Sequence, residues 1–238
     1  MAGDLLLERY GGPARGVEQK SSETDLVSDA DKASENAIKD LLAAERPDDG
    51  LLAEEGSARE AASGRRWVID PLDGTINFLY GFPAWCVSVA LEDAGGGLVG
   101  VVHDPLRDET FRAERGRGCW ANGSRVEVSP KDRLQTALVA TGFSYESQVR
   151  AEQAELLTRV LPRVRDVRRA GAAALDLAWV AAGRLDAYFE RGLKPWDWAA
   201  ARVLVGEARG ALAELDGEPP GLAAANPTLL PKLLELVA

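Results

Sequence analysis

Two carboxylates and a hydroxyl stand together in Asp70-Pro71-Leu72-Asp73-Gly74-Thr75, directly after the apolar run Trp67-Val68-Ile69. A strand that ends in an acidic turn has the composition of a cation site. Like-charged carboxylates this close repel one another, and both remain ionised at low cost only when something positive lies between them. The plainer reading is an Asp-Gly turn that caps the next element. Two other segments offer the same kind of ligand. Glu54-Glu55 follows the apolar Leu51-Leu52-Ala53, and Asp197 is flanked by Trp196 and Trp198. Taken singly, a Glu-Glu pair is ordinary surface charge, and an Asp ahead of Ala199-Ala200-Ala201 is a helix N-terminal residue favoured by the dipole. Taken together, oxygen-only ligands from three segments are what Mg²⁺ or Mn²⁺ prefers, with coordination positions left for water and a phosphate.

The residue inventory excludes other chemistries. His103 is the one histidine, so neither a zinc cluster nor a Ser-His-Asp or Cys-His triad can be assembled without it, and it lies on an expected strand far in sequence from the acidic motifs. No Gly-x-x-x-x-Gly-Lys-Ser/Thr occurs. Gly95-Gly96-Gly97-Leu98-Val99-Gly100 satisfies a bare Gly-x-Gly-x-x-Gly, but Val87–Leu91 before it and Val99–Val102 after it both have strand composition. That context predicts a hairpin rather than a dinucleotide site. The formal net charge of −10 argues against general nucleic-acid binding, which needs a basic surface.

These residues must be positioned by a mixed α/β fold. With 238 residues, 46% of them hydrophobic, the chain can bury a large core, and no apolar stretch reaches the roughly 20 residues that span a membrane. The N-terminal residues show no basic region followed by an apolar segment, so the reading is a soluble, cytoplasmic protein without a signal peptide, with Cys86 and Cys119 as reduced structural thiols. Residues up to about Glu45 read as helical, with Leu26, Ala30, Ala33, Ala37, Leu41 and Leu42 at helix-like spacing. Strand-like runs follow from Leu51 to Val128, with Glu55 to Arg66 as the main loop, small and polar enough to be mobile. From Ala137 the pattern alternates: a strand at 137–141, a helix over 151–161, a strand at 164–168, a helix over 172–182, a strand at 187–190, and helices over 198–207 and 228–236.

In order along nearly the whole chain, Lys20–Ser28 with Asp31, Glu54-Glu55, Asp70–Phe78, Gly171–Leu177 and Trp196-Asp197 resemble the motifs of the inositol monophosphatase family of Mg²⁺-dependent, lithium-sensitive sugar phosphatases. The resemblance implies a single domain over 1–238 with the layered α-β-α-β-α sugar-phosphatase fold. Its sub-layers would be a helix plus antiparallel sheet over about 1–132 and mixed α/β over about 133–238. It implies hydrolysis of myo-inositol monophosphate or a related sugar phosphate by water, without a covalent intermediate. Glu54, Asp70 and the Leu72 carbonyl would hold one Mg²⁺, Asp70, Asp73 and Asp197 a second, and Glu54 with water a weak third; Mn²⁺ is a possible substitute. Two ions about 3.5 to 4 Å apart can stabilise attacking and leaving oxygens together. Thr75, backed by Asp31, would bond the attacking water, with Glu54 completing the catalytic set.

Substrate contacts would come from Asp73, Gly74, Thr75, the Ala173 backbone, Glu190 and Asp197. Gly74 fits because a residue without Cβ lets backbone N–H groups approach phosphate, and a helix opening at Thr75 would add its dipole. Two positions depart from the family pattern: Ala172 stands where relatives carry Ser or Thr, and His103 where Tyr is usual. The resemblance also implies a homodimer, whose interface Trp85, Trp120 or Trp179 could line, although core burial is the better reading of each. Three competing readings stay open. They are another substrate of the same chemistry (fructose 1,6-bisphosphate, an adenosine 3′,5′-bisphosphate or NADP, the last two disfavoured because the short loops show no nucleobase pocket), a regulatory partner-binding protein that keeps the fold, and a bare cation-binding protein.

Overall fold

The computed structural model of the chain describes residues 1–12, 16–20 and 26–238, with Leu26 described by its backbone alone. Ser21–Asp25 of the first motif lie outside the described residues. The sequence reading of continuous helix to Glu45 is corrected. A short helix α1 (Ala2–Leu7) is followed by strands β1 (Glu18–Gln19) and β2 (Leu26–Val27), which pair antiparallel. Gly11 and Gly16 take positive φ values there, a conformation that ends a helix. Leu26 is thus a strand residue, and Leu41 is exposed. Helix α2 (Asp29–Glu45) starts where a capping box permits: the Ser28 hydroxyl accepts the Ala30 N–H at 3.2 Å while the Asp31 carboxylate accepts the Ser28 N–H at 2.8 Å.

Strands β3 (Gly50–Ala53), β4 (Ala58–Arg59), β5 (Arg66–Asp73), β6 (Cys86–Asp93), β7 (Gly96–Asp104), β8 (Glu109–Glu114), β9 (Gly118–Ala121) and β10 (Ser124–Val126) form one sheet in the order β10-β9-β8-β7-β6-β5-β3-β4. All neighbours are antiparallel except β3 and β5. The glycine run is the β6–β7 hairpin, as its flanking strand composition predicts. The 55–66 segment is not a bare loop, because β4 lies inside it. Helix α3 (Thr75–Tyr80) follows β5 directly.

The second sheet comprises β11 (Leu138–Thr141), β12 (Asp166–Arg168), β13 (Ala187–Arg191), β14 (Ala211–Leu215) and β15 (Gly221–Ala225), ordered β12-β11-β13-β15-β14. Strand β11 is parallel to both neighbours, and β13-β15-β14 is antiparallel. Sequence patterning missed β14 and β15: Ala-Leu-Ala-Glu-Leu and Gly-Leu-Ala-Ala-Ala have no β-branched residues, and the pairing of β15 with β13 and β14 overrides a weak local preference.

Helices α5 (Ala173–Ala181) and α6 (Pro195–Glu207) pack on each other between the sheets, α6 against β5 to β9 and α5 against β13 and β15. Both are apolar nearly all round, as helices buried on two sides must be. Small side chains let backbones approach: a Cβ on Gly100 would lie 2.3 Å from the Ala200 carbonyl oxygen. Helices α1 to α3 cover the outer face of the first sheet with Ile69, Leu72, Phe78 and Trp85, whereas α4 (Ser147–Val160) and α7 (Leu230–Val237) cover the outer face of the second. This is the α-β-α-β-α order, in the mixed α+β class that the motifs imply. Trp85 is fully buried against Tyr10 and Phe78, so it lines no interface. Cys86 and Cys119 are buried free thiols.

Candidate active site

The acidic turn is built by an irregularity at the end of β5. Pairing with β6 shifts register between Asp70 and Asp73, and the Asp70 carboxylate turns back to accept the Leu72 N–H at 3.1 Å. Gly74 follows with φ +93°. A Cβ there would meet the Ala84 carbonyl oxygen at 2.9 Å, so the turn needs glycine for both conformation and space. Thr75 then opens α3, its Oγ1 2.8 Å from Asp31 Oδ1 and 3.1 Å from the Leu72 carbonyl oxygen. Asp31 is fully buried, and its other oxygen accepts the Ser28 N–H and hydroxyl at 2.8 and 2.6 Å.

Glu54, Asp70, Leu72, Asp73, Gly74, Thr75, Ala173, Glu190 and Asp197 all line one cavity of about 690 Å³, a size that encloses small-molecule ligands. Asp31 stands behind Thr75 and does not line it, in keeping with a role exerted through the threonine. His103 is elsewhere, its Nδ1 2.9 Å from Thr110 Oγ1 on the β7–β8 pair. The 55–66 segment also does not border the cavity.

Each carboxylate is held by its own part of the scaffold. Asp73 accepts the N–H groups of Ala173, Ala174 and Leu175 at 3.1, 2.8 and 3.3 Å, which makes it the cap of α5. Ala172, at the N-cap position without a hydroxyl, leaves that task to Asp73. Asp197 lies in the first turn of α6, which starts at Pro195 rather than Trp198, and accepts the Lys194 N–H at 2.7 Å. Glu54 and Glu55 share the Lys20 ammonium at 2.8 and 2.6 Å. Among the described residues no three His, Cys, Asp or Glu side chains are already gathered at ligand spacing. The acids share a cavity and a field, and each is tied to its own element.

That field is large. Burial pushes the Asp70 and Asp197 carboxyls well above the ordinary range; for Asp70 the charges of Glu54, Asp73 and Asp197 add to it, for Asp197 those of Asp73, Glu54 and Glu190. Burial raises Asp73 to about 6 against the lowering effect of the α5 amides, and raises Glu190 to about 7 although the Tyr188 hydroxyl donates to it. Burial works to lower the Lys20 ammonium, but Glu54 and Glu55 outweigh it and hold it above its usual range. Carboxyls that resist ionisation together, oxygen donors without a competing thiolate or imidazole, and an open cavity suit a hard divalent cation.

The sequence reading gave no role to several residues that shape the site, among them Lys20 and Asp176 of the family motifs. Ser34 donates to the Pro71 carbonyl at 2.8 Å and ties α2 to the acidic turn. The Glu35 carboxylate receives the Glu55 and Ser57 N–H groups at 2.8 and 3.3 Å. Gly142 leaves room for Glu190, whose Oε2 lies 2.0 Å from where a Cβ would stand. Asp176 is buried on α5 with Oδ1 lacking any hydrogen-bond partner. Lys20, Arg169, Arg191 and Lys194 add cations to the cavity wall, and Phe143, Tyr145 and Trp196 add aromatic surface.

Residues 1–237 match the inositol monophosphatase family. The chain belongs to that family. It is 44% identical over 217 residues, 91% of this chain and 78% of the relative, to the protein of Xylella fastidiosa named Nus factor SuhB. It is 42% identical over 211 residues, 85% and 73% of the two chains, to the inositol-1-monophosphatase of Mycobacterium bovis. Among solved structures it superposes on the extragenic suppressor protein suhB of Bartonella henselae with a TM-score of 0.93 at 38% identity, covering 99% of this chain and 93% of the other. A more distant member, an IMPase/NADP phosphatase solved with Mg²⁺ and phosphate, gives a TM-score of 0.82 at 25% identity over 98% of this chain and 88% of that one. The family carries phosphatase chemistry as its coarse assignment.

Proposed function

We propose that the chain is a Mg²⁺-dependent phosphomonoesterase acting on myo-inositol monophosphate or a related sugar phosphate. The observation that carries this reading is the meeting of Glu54, Asp70, Asp73 and Asp197 on one cavity with a threonine hydroxyl backed by a buried aspartate. A bare cation-binding protein has no use for that hydroxyl pair. Glu54, Asp70 and the Leu72 carbonyl would hold one ion, and Asp70, Asp73 and Asp197 another; a third would rest on Glu54. When bound, such ions supply positive charge to phosphoryl oxygens and acidity to water.

The chain's own residues do the rest. The Asp31 carboxylate draws the Thr75 proton, which leaves the Oγ1 lone pairs facing the cavity as acceptors for the attacking water. Gly74 lines the cavity where a phosphoryl group would sit, while the side its Cβ would take is packed against Ala84, Ala172 and Trp85. Glu190, lodged over Gly142, accepts sugar hydroxyls, and the Ala173 backbone sits beside them. Among the described residues no helix is long and apolar enough to cross a membrane. The chain is proposed to work as a cytoplasmic homodimer. The test is phosphate release from a panel of sugar and nucleotide monophosphates, with Mg²⁺ or with a chelator, beside Asp70→Asn. Release that needs Mg²⁺ and vanishes in a folded Asp70→Asn variant is expected; a fully active variant would overturn the metal assignment. A second reading is favoured by the relative named Nus factor SuhB: a partner-binding regulatory role that retains the fold. No release from any ester, with specific retention of transcription-complex components, would favour it.

A further inference from the structure

Helix α4 holds one wall of the cavity from behind. Phe143, Ser144, Tyr145 and Glu146, the segment between β11 and α4, line the cavity together with Val149 of the helix itself. Every polar group of Ser144 is engaged. Its N–H donates to Gln153 Oε1 at 2.9 Å, its carbonyl accepts Arg150 Nη1–H at 2.9 Å, and its hydroxyl accepts the Glu146 N–H at 3.1 Å. Gln153 and Arg150 do not line the cavity themselves. The bond from Glu146 to the Ser144 hydroxyl is an ordinary turn at a helix start. The bond to Gln153 is of another kind, because that residue lies 9 positions beyond Ser144, past the first turn where free N–H groups need caps.

Burial makes the choice of glutamine specific. Of the 14 residues of α4, Gln153 and Val160 are the buried ones. A residue needed there for packing alone would be apolar, since burying an amide costs free energy unless its hydrogen bonds are made. The clamp reaches Glu190 through the backbone. Gly142, two residues before Ser144, lies so close to that carboxylate that a Cβ would stand 2.0 Å from Oε2 and 2.1 Å from Oε1. Glu190 lines the same cavity and comes from β13, which pairs with β11. A shift of residues 142–146 therefore moves the surface on which the Glu190 carboxylate rests.

We infer that Gln153, supported by Arg150, is a positioning residue for recognition of the sugar hydroxyls: it fixes the 142–146 segment and, through Gly142, the Glu190 carboxylate that receives them. The inference rests on the phosphatase reading above, and its test separates the two. Steady-state phosphate release with Mg²⁺ is measured on myo-inositol monophosphate and on p-nitrophenyl phosphate, which has no hydroxyl for Glu190 to receive. Gln153→Met keeps the length and loses the acceptor, whereas Gln153→Glu keeps an acceptor for the Ser144 N–H. Gln153→Met should raise KM for the inositol ester roughly 3- to 10-fold with kcat kept and the aryl ester unaffected, and Gln153→Glu should restore most of the loss. Arg150→Met removes the other half of the clamp and should shift KM in the same direction, so it decides the matter if Gln153→Met does not fold. An unchanged KM for the inositol ester in the folded variants, or an equal change on both esters, overturns the inference. Release from the aryl ester alone by the wild type also overturns it, since no hydroxyl recognition is then left to position. Release from neither ester by the wild type fails the phosphatase reading instead. Calorimetric binding of myo-inositol monophosphate then decides the inference: weaker binding by Gln153→Met than by wild type and Gln153→Glu supports it, and equal binding, or none, overturns it.

Discussion

Asp176 offers a direct measurement of the electrostatic cost built into this site. It is 1% exposed, its Oδ1 has no partner, and burial, then the charges of Asp73 and Glu190, push its carboxyl from an ordinary 3.8 to about 8, with Arg169 opposing. In the unfolded chain the proton leaves near pH 4, whereas the folded chain keeps it to about pH 8. Between these values the native state binds more protons than the unfolded state, so this group makes stability fall as pH rises, and the fall is complete above pH 8. From pH 5 to pH 8 the window is about three pH units at about 1.36 kcal/mol each, a ceiling of about 4 kcal/mol. Relaxation and water penetration around a buried charge bring the expected figure to about 2 kcal/mol. Asp176→Asn has nearly the same shape and no charge to bury. Urea unfolding of both proteins in chelator at pH 5, 7 and 9 reads the effect of Asp176 and of its coupling to Asp73 and Glu190, because titrations independent of Asp176 cancel in the difference. The variant should gain about 2 kcal/mol on the wild type between pH 5 and pH 9. A difference that stays constant across that range refutes the account of Asp176 as a proton-holding buried acid.

Thr75→Val keeps the shape and removes the hydroxyl; it should lower kcat about 10²- to 10⁴-fold with KM little changed, read by phosphate release. Asn77→Ala strands the Ala84 and Ala170 carbonyls, bonded now at 2.6 and 2.8 Å, and should cost about 2–4 kcal/mol in urea unfolding. Gly100→Ala forces a methyl toward the Ala200 carbonyl oxygen, 2.3 Å away, where neither backbone can yield without parting β7 from α6. It should cost about 1–3 kcal/mol and lower Tm in a calorimetric scan.

Legibility followed how narrowly chemistry restricts residue type. Repelling acids at strand ends and beside a helix start have few uses together, so Glu54, Asp70, Asp73 and Asp197 could be read from their spacing and motif order, and the structure puts them on one cavity. Thr75 and Asp31 are 44 residues apart in sequence, and their 2.8 Å bond was expected only through the family resemblance. Ser34, Glu35 and Gly142 were illegible because serine, glutamate and glycine occur everywhere; what makes them matter is a carbonyl, an amide or a carboxylate brought near by packing. The elements failed in the same way. The alanine-rich β14 and β15 look like helix by composition and become strands because β13 offers β15 an edge and β15 offers one to β14.

Asp73 shows why the acidic turn and the second half of the chain cannot be treated separately. It ends β5 in the first sheet, and its oxygens receive three amides of α5, the helix that runs between the sheets. A helix normally finds its cap in its own chain just upstream, but Ala172 has no oxygen to offer. The carboxylate that caps α5 thereby fixes the Ala173 backbone, and the loop before it that carries Arg169, against the turn that carries Asp70 and Thr75. The α5 amides also lower the Asp73 carboxyl, partly offsetting its burial. One side chain thus ties the Thr75 end of the cavity to its Ala173 end. Asn77, bonded to the Ala84 and Ala170 carbonyls, adds a second tie between the same parts, so the span a substrate must bridge follows from contacts of a strand end and a short helix with the start of α5.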